Sequence, residues 1–189
     1  MEQKIPSRSL DEIKITLHDH LRGARASREA SKLTVILTDA NDLKPWADRY
    51  AAGDGEVVMD VHFSTIIRYE TLWNAAMREA SGLKFVGRYS NDKYVLGYLG
   101  PTDRAGEIGQ GLQENLNKTI IPNQVSLQPE TVEVDGRTVA LDPYHVTVRV
   151  GVAYQSGNPN VEGLLEKAIH LAESAKTAPH QLLCVEYTP

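Results

Sequence analysis

Cysteine is nearly absent from this chain: Cys184 is the only one in 189 residues. A lone thiol excludes an intrachain disulfide and a cysteine-ligated zinc site, and it fits a reducing compartment. Long apolar runs are missing too. No stretch approaches the ~18 residues of a membrane span, and the opening Met1-Glu-Gln-Lys-Ile-Pro6 lacks the apolar core of a signal peptide. A basic excess is also lacking; the formal net charge is -5, which argues against general nucleic-acid binding. No internal repeat, linker or low-complexity tract is visible. The expectation is a soluble, cytoplasmic protein with no membrane association. The length suits one domain over residues 1–189, with its core over about 9–187.

What is present is a regular alternation of helix and strand patterns. Residues 9 to about 30 open with Ser9 and Glu12 at capping-box spacing and place Leu10, Ile13, Leu17 and Leu21 on one helical face. His18 and His20 lie two apart, on different faces, so solvated side chains are expected rather than a metal pair. Residues 33–38 read as a buried strand that runs into Asp39. A turn then leads to a short helix that Pro45 can open. Residues 56 to about 80 recur at three- and four-residue steps, as a long core helix does. Residues 84–100 form a hairpin whose polar tip is Ser90-Asn91-Asp92-Lys93.

Pro101-Thr-Asp103 is expected to turn and cap a helix over 104–117, with Ile108, Leu112 and Leu116 on its inner face. The Asp135-Gly136 pair between two apolar runs predicts a tight hairpin over 131–141, read as a surface flap. Residues 145–154 alternate as a strand with Val146, Val148, Val150 and Val152 inward. Residues 161–176 form a helix, and 182–187 a last strand. The order describes an α/β (α+β) sandwich: a central, mostly antiparallel five-stranded sheet flanked by helices, with an extra β-hairpin.

Two carboxylates stand out. Asp39 follows apolar strand residues, where an unpaired acid is costly, and Asp92 sits on the hairpin tip. The plain reading of Ser90-Asn91-Asp92 is turn chemistry, since these side chains bond their own backbone. Lys176 near a helix C-terminus is equally well read as a partner of the helix dipole. Trp46, Trp73 and Cys184 read as packing residues.

These residues resemble those of GGDEF-type domains, the family of diguanylate cyclases, whose palm is shared with class III nucleotide cyclases. The family's Asp-x-Asp-x-Phe-Lys stretch is matched by Asp39-Ala-Asn-Asp-Leu-Lys44, and its Arg-Tyr-Gly-Gly-Asp-Glu-Phe hairpin by Arg88-Tyr-Ser-Asn-Asp-Lys-Tyr94. Its Val-Thr-Val-Ser-Ile-Gly-Val-Ala strand is matched by Val146-Thr-Val-Arg-Val-Gly-Val-Ala153, and its Ala-Lys before a turn by Ala175-Lys176.

The resemblance implies Mg²⁺ (or Mn²⁺) held by Asp39, Asp92 and the backbone of Ala40, with Asp39 and Asp92 as the catalytic pair. It implies a nucleoside triphosphate whose phosphates meet Lys44, Lys176 and Lys93. Base-proximal positions are Ala47, where the family has a base-contacting Asn, together with Asp54, Ser90 and Asn91; the last two replace glycines. Lys93 replaces an acid, and the inhibitory Arg-x-x-Asp pair would fall on Ser81 and Lys84 and is absent. Two functions follow from the resemblance: a cyclic-nucleotide synthase with altered base preference, or a catalytically inactive degenerate domain that senses nucleotide or binds a protein. A homodimer or a partner protein is expected with either.

Overall fold

The structure, a computed structural model, describes residues 8–26, 32–42, 45, 83–88, 90, 92–99, 102–118, 120–121, 130–134, 136–141, 144–145 and 147–189. The expected helix over 56–80, most of the short helix after Pro45 and the tail of the first helix over 27–30 lie outside the described residues.

The first helix, α1 (Leu10–Ala26), starts as its sequence dictates. Ser9 N–H donates to Glu12 Oε2 at 2.7 Å and Glu12 N–H to Ser9 Oγ at 3.2 Å, closing the reciprocal cap. Strand β1 (Lys32–Ala40) runs through the centre of a five-stranded sheet. On one side it pairs with β3 (Lys93–Leu99), which pairs in turn with β2 (Leu83–Arg88). On the other side lies β8 (Val148–Ser156), and β9 (Leu182–Glu186) closes that edge. All pairings are antiparallel except β8 with β9. The sheet is thus mostly antiparallel, as the alternation implies.

Period-2 alternation then assigns the faces. Leu33, Val35 and Leu37 of β1 pack with Ile13, Leu17 and Leu21 of α1 and with the helix α3 (Val161–Ser174) in one core cluster. The opposite face carries α2 (Ala105–Asn117), whose Gly109 lies against Val150 and Val152. Each fully buried Leu or Ile side chain contributes roughly 1.5–3 kcal/mol through apolar burial. Backbones approach closely at Gly151 of β8, where an added Cβ would lie 2.1 Å from the Ala168 carbonyl oxygen of α3. Asn160 caps α3, its Oδ1 accepting from Gly163 N–H at 3.1 Å.

Strands β5 (Glu130–Val134) and β6 (Arg137–Leu141) form a hairpin separate from the main sheet, with Gly136 at φ +72° in its turn. Two expectations need correction. Thr102–Arg104 is a 3-10 turn and no side chain caps α2, so the tight turn stands where a Thr102 or Asp103 cap is expected. His145 is not part of β8; in the short ladder of β4 (Ile120–Ile121) and β7 (Tyr144–His145) it pairs with Ile120. The Thr147 carbonyl accepts from Asn41 N–H at 2.8 Å, which joins the turn after β1 to the residue before β8. His18 is partly exposed, and its Nε2 lies 2.8 Å from Glu162 Oε1, a surface contact that ties α1 to α3.

Candidate functional site around Asp39

Asp39 is the penultimate residue of the central strand, and the sheet register determines its neighbours. Antiparallel pairing sets Lys93 of β3 directly opposite it on one side and Arg149 of β8 directly opposite on the other. Directly opposed residues carry their Cβ atoms on one face about 4.5–5.5 Å apart. A single acid is therefore bracketed across two strands by two cations, on the face covered by α1 and α3.

The contacts follow from that placement. Arg149 Nε and Nη2 both donate to Asp39 Oδ2, at 2.9 and 2.7 Å. Lys93 Nζ stands 3.8 Å from the same oxygen, close enough to attract but too far for a hydrogen bond. Asp39 is 1% exposed, and its other oxygen, Oδ1, is buried without a hydrogen-bond partner. Burial pushes the Asp39 carboxyl above the ordinary carboxylate range and neighbouring Asp92 adds to the effect; Lys93 and Arg149 pull it down without cancelling the shift.

The hairpin tip reaches this point through the backbone. Ala40 N–H donates to the Asp92 carbonyl oxygen at 3.2 Å, and Ser90 Oγ donates to Asp92 Oδ1 at 2.9 Å. Asp39, Ala40, Ser90, Asp92 and Lys93 thus converge at one end of the sheet. Lys176 belongs to the exposed 3-10 turn Ala175–Thr177. That turn follows the end of α3 that packs by Gly151, so Lys176 shares the Arg149 end of the sheet. Lys44, Ala47, Asp54 and Asn91 lie outside the described residues.

A second layer of polar contacts holds this end together. Asn41 Nδ2 donates to Gln181 Oε1 at 2.6 Å and to Thr147 Oγ1 at 3.2 Å. Gln181 and its neighbour His180 hold left-handed backbone at φ 53° and 63°, uncommon for residues with a Cβ. The buried Gln113 amide of α2 bridges here: the two N–H groups of its Nε2 are shared among the carbonyl oxygens of His180 at 2.7 Å, Val148 at 2.9 Å and Gln181 at 3.1 Å.

Arg149 and Gln113 are the residues that sequence reading does not single out. The signal for Arg149 is its place in the matched strand, a cation where the family motif carries serine. Gln113 offers only the weaker signal of a polar residue beside Leu112.

A divalent cation needs hard oxygen ligands with lone pairs to offer. Asp39 Oδ1 and Asp92 are such groups. However, Asp39 Oδ2 is taken by a guanidinium, and Asp39 and Asp92 are already matched in formal charge by Arg149 and Lys93. At an effective dielectric of 20 a doubly charged ion interacts by about 8 kcal/mol with a unit charge about 4 Å away, so its attraction to the two acids is offset by repulsion from the two cations. Among the described residues no group of three or more His, Cys, Asp or Glu side chains gathers to hold a metal. The residues as arranged do not fit a divalent cation.

No family model matches this sequence, and no curated protein matches it. Solved structures are similar in fold. The diguanylate cyclase SiaD of Pseudomonas aeruginosa, in complex with its activator SiaC, matches with a TM-score of 0.65 at 14% identity, over 97% of this chain and 59% of that one. This chain thus spans less than two thirds of SiaD. The GGDEF domain of DgcB from Caulobacter crescentus, in complex with c-di-GMP, matches with a TM-score of 0.62 at 11% identity, over 97% of this chain and 94% of that one. The active GGEEF domain of a diguanylate cyclase from Vibrio cholerae gives a TM-score of 0.62 at 12% identity, over 99% of both chains. The chain has the fold of a divergent GGDEF-type domain. No described helix is long and apolar enough to cross a membrane.

Proposed function

We propose that this GGDEF-type fold serves here as a degenerate, non-catalytic domain that binds a nucleotide and passes its occupancy on to a partner protein or a second copy. The observation that carries this reading is the pair of hydrogen bonds from Arg149 to Asp39. Nucleotidyl transfer on a palm needs its carboxylates free to hold the ions that polarise the phosphate and activate the attacking hydroxyl. Arg149 ties up one of those carboxylates, and Lys93 adds a second positive charge where an ion would sit.

Binding is better supported than chemistry. Lys93, Arg149 and Lys176 supply positive charge at one end of the sheet, suited to phosphate oxygens. Base selection would fall to Ala47, Asp54, Ser90 and Asn91, and the loss of two glycines there argues for relaxed or changed base preference. Nucleotide and protein partners both occur on similar folds, in DgcB with c-di-GMP and in SiaD with SiaC.

One observation favours the metal-dependent reading instead. Asp39 Oδ1 is buried and lacks a hydrogen-bond partner, and such an orphan acceptor is satisfied by a cation or a proton. Incubation with each ribonucleoside triphosphate and Mg²⁺ or Mn²⁺, followed by separation of the products, decides between the two. The expected result is unchanged triphosphate. A linear or cyclic nucleotide that disappears in an Asp92→Ala variant would establish an enzyme and overturn the non-catalytic reading.

A further inference from the structure

We propose that Arg149 and Lys93 together take the place of the divalent cation, so that this end of the sheet binds a polyphosphate chain directly and free of metal. The inference rests on the nucleotide-binding reading above and gives it a ligand chemistry: polyphosphate oxygens met by a guanidinium and an ammonium.

Three features support it. First, the two cations are built in by the register of the central strand rather than carried on mobile loops, since both are cross-strand neighbours of Asp39. Asp39 acts as a positioning residue. Its Oδ2 accepts both the Nε and Nη2 hydrogen bonds and so fixes the plane of the guanidinium.

Second, both cations remain reachable. The Lys93 side chain is 29% exposed and that of Arg149 19%, whereas the Asp39 side chain between them is 2% exposed. An incoming anion therefore meets Lys93 and Arg149 before Asp39, with the half-buried Asp92 carboxylate of the hairpin tip beside them. At 3.8 Å the Lys93 ammonium is not hydrogen-bonded to Asp39, so that carboxylate does not engage its N–H donors.

Third, the charge pattern discriminates against metal. A phosphate chain carrying Mg²⁺ has part of its charge neutralised and presents less to Arg149 and Lys93 than the bare chain does, while Asp39 and Asp92, already matched by those cations, offer the ion no net negative charge. Metal thus opposes binding here, the reverse of what a two-aspartate palm requires.

The test measures binding of inorganic tripolyphosphate, ATP and GTP by calorimetry to the full chain, in EDTA and then in excess Mg²⁺. Adenosine and guanosine serve as phosphate-free probes. Tripolyphosphate and both nucleotides are expected to bind in EDTA, the nucleosides not at all, and Mg²⁺ is expected to weaken binding. Lys93→Gln is expected to lower tripolyphosphate affinity about tenfold or more, the loss of one charge-assisted contact. Lys32→Gln, at the opposite end of β1, is expected to leave it unchanged. Because Arg149→Gln alone strands a buried acid, the guanidinium is tested in Asp39→Asn/Arg149→Gln, which should weaken binding as Lys93→Gln does.

A requirement for Mg²⁺, an affinity indifferent to Lys93→Gln, or no binding of tripolyphosphate would each overturn the metal-free site. If nucleotide then binds only with Mg²⁺ and is not turned over, the non-catalytic reading survives while this one fails. Product formation with Mg²⁺ would sink the non-catalytic reading itself.

Discussion

Replacing Arg149 with Met removes both hydrogen bonds to Asp39 Oδ2 and leaves that buried acid with Lys93 at 3.8 Å as its nearest described cation. Breaking a buried ion pair from one side costs about 3–5 kcal/mol. The partial exposure of Arg149 puts the expected loss near the lower figure. With a urea m-value of about 2 kcal/mol per M, a loss of about 3 kcal/mol moves the unfolding midpoint down by about 1.5 M.

The double variant Asp39→Asn/Arg149→Met removes the stranded charge, so most of that stability should return. The coupling energy between the two sites is expected to exceed about 1.5 kcal/mol, beyond the roughly 0.5 kcal/mol scatter of independent sites. The loss should also depend on pH. A carboxyl whose folded pKa lies above its unfolded value binds its proton more tightly when folded. The Arg149→Met penalty is therefore absent below the ordinary carboxylate range and grows as pH rises through the raised folded value. Urea unfolding followed by circular dichroism at several pH values measures both effects. Additive single variants, or a penalty that does not shrink in acid, would show that the Asp39–Arg149 pair does not govern this site.

Gly151→Ala pushes a methyl group into the α3 backbone and should cost about 2–3 kcal/mol in urea unfolding, as overpacked cores do. Gln113→Leu keeps the buried volume but removes the two N–H donors shared by three carbonyl oxygens, so it should cost about 1–3 kcal/mol by the same assay. Glu162 is held below the ordinary carboxylate range, first by its hydrogen bond to His18. Its contribution to stability is present above that range and lost as pH falls through the lowered folded value, and His18→Ala should remove this part of the acid dependence in pH-resolved thermal melts. Replacing residues 130–141 with a short Gly/Ser turn should leave the melting temperature of the main sheet within a few degrees, because that hairpin pairs only with itself among the described strands.

Local signals carry over from sequence to structure most directly. The Ser9–Glu12 cap is read from a three-residue spacing and found intact, because its partners lie in one turn of helix. The strand through residues 33–38 and the hairpin ending at Asp92 are legible from alternation, and their adjacency follows from the resemblance. Arg149 is not legible in that way. Alternation along β8 places it on the face away from Val148 and Val150, which reads as outward on a sheet with one covered side. Here α1 and α3 cover that second face. Which residue of β8 stands opposite Asp39 is a matter of register between strands 110 residues apart, and no local pattern encodes it. The same distance hides the His18–Glu162 contact, which spans 144 residues. Val146 prolongs the alternation of β8, yet the strand begins only at Val148, after the backbone contact that Thr147 makes with Asn41.

The bracketing of Asp39 by two strands has a historical consequence. A lineage that carried Lys93 and Arg149 would find the way to a metal-holding palm obstructed. Exchanging Arg149 alone strands the acid and weakens the fold before any ion can be gained, while exchanging Lys93 alone leaves the guanidinium clamped on Oδ2. Each first step is harmful or idle, and only the pair together reopens the carboxylates. The central strand thus works as a ratchet: neither single exchange frees both carboxylates without cost.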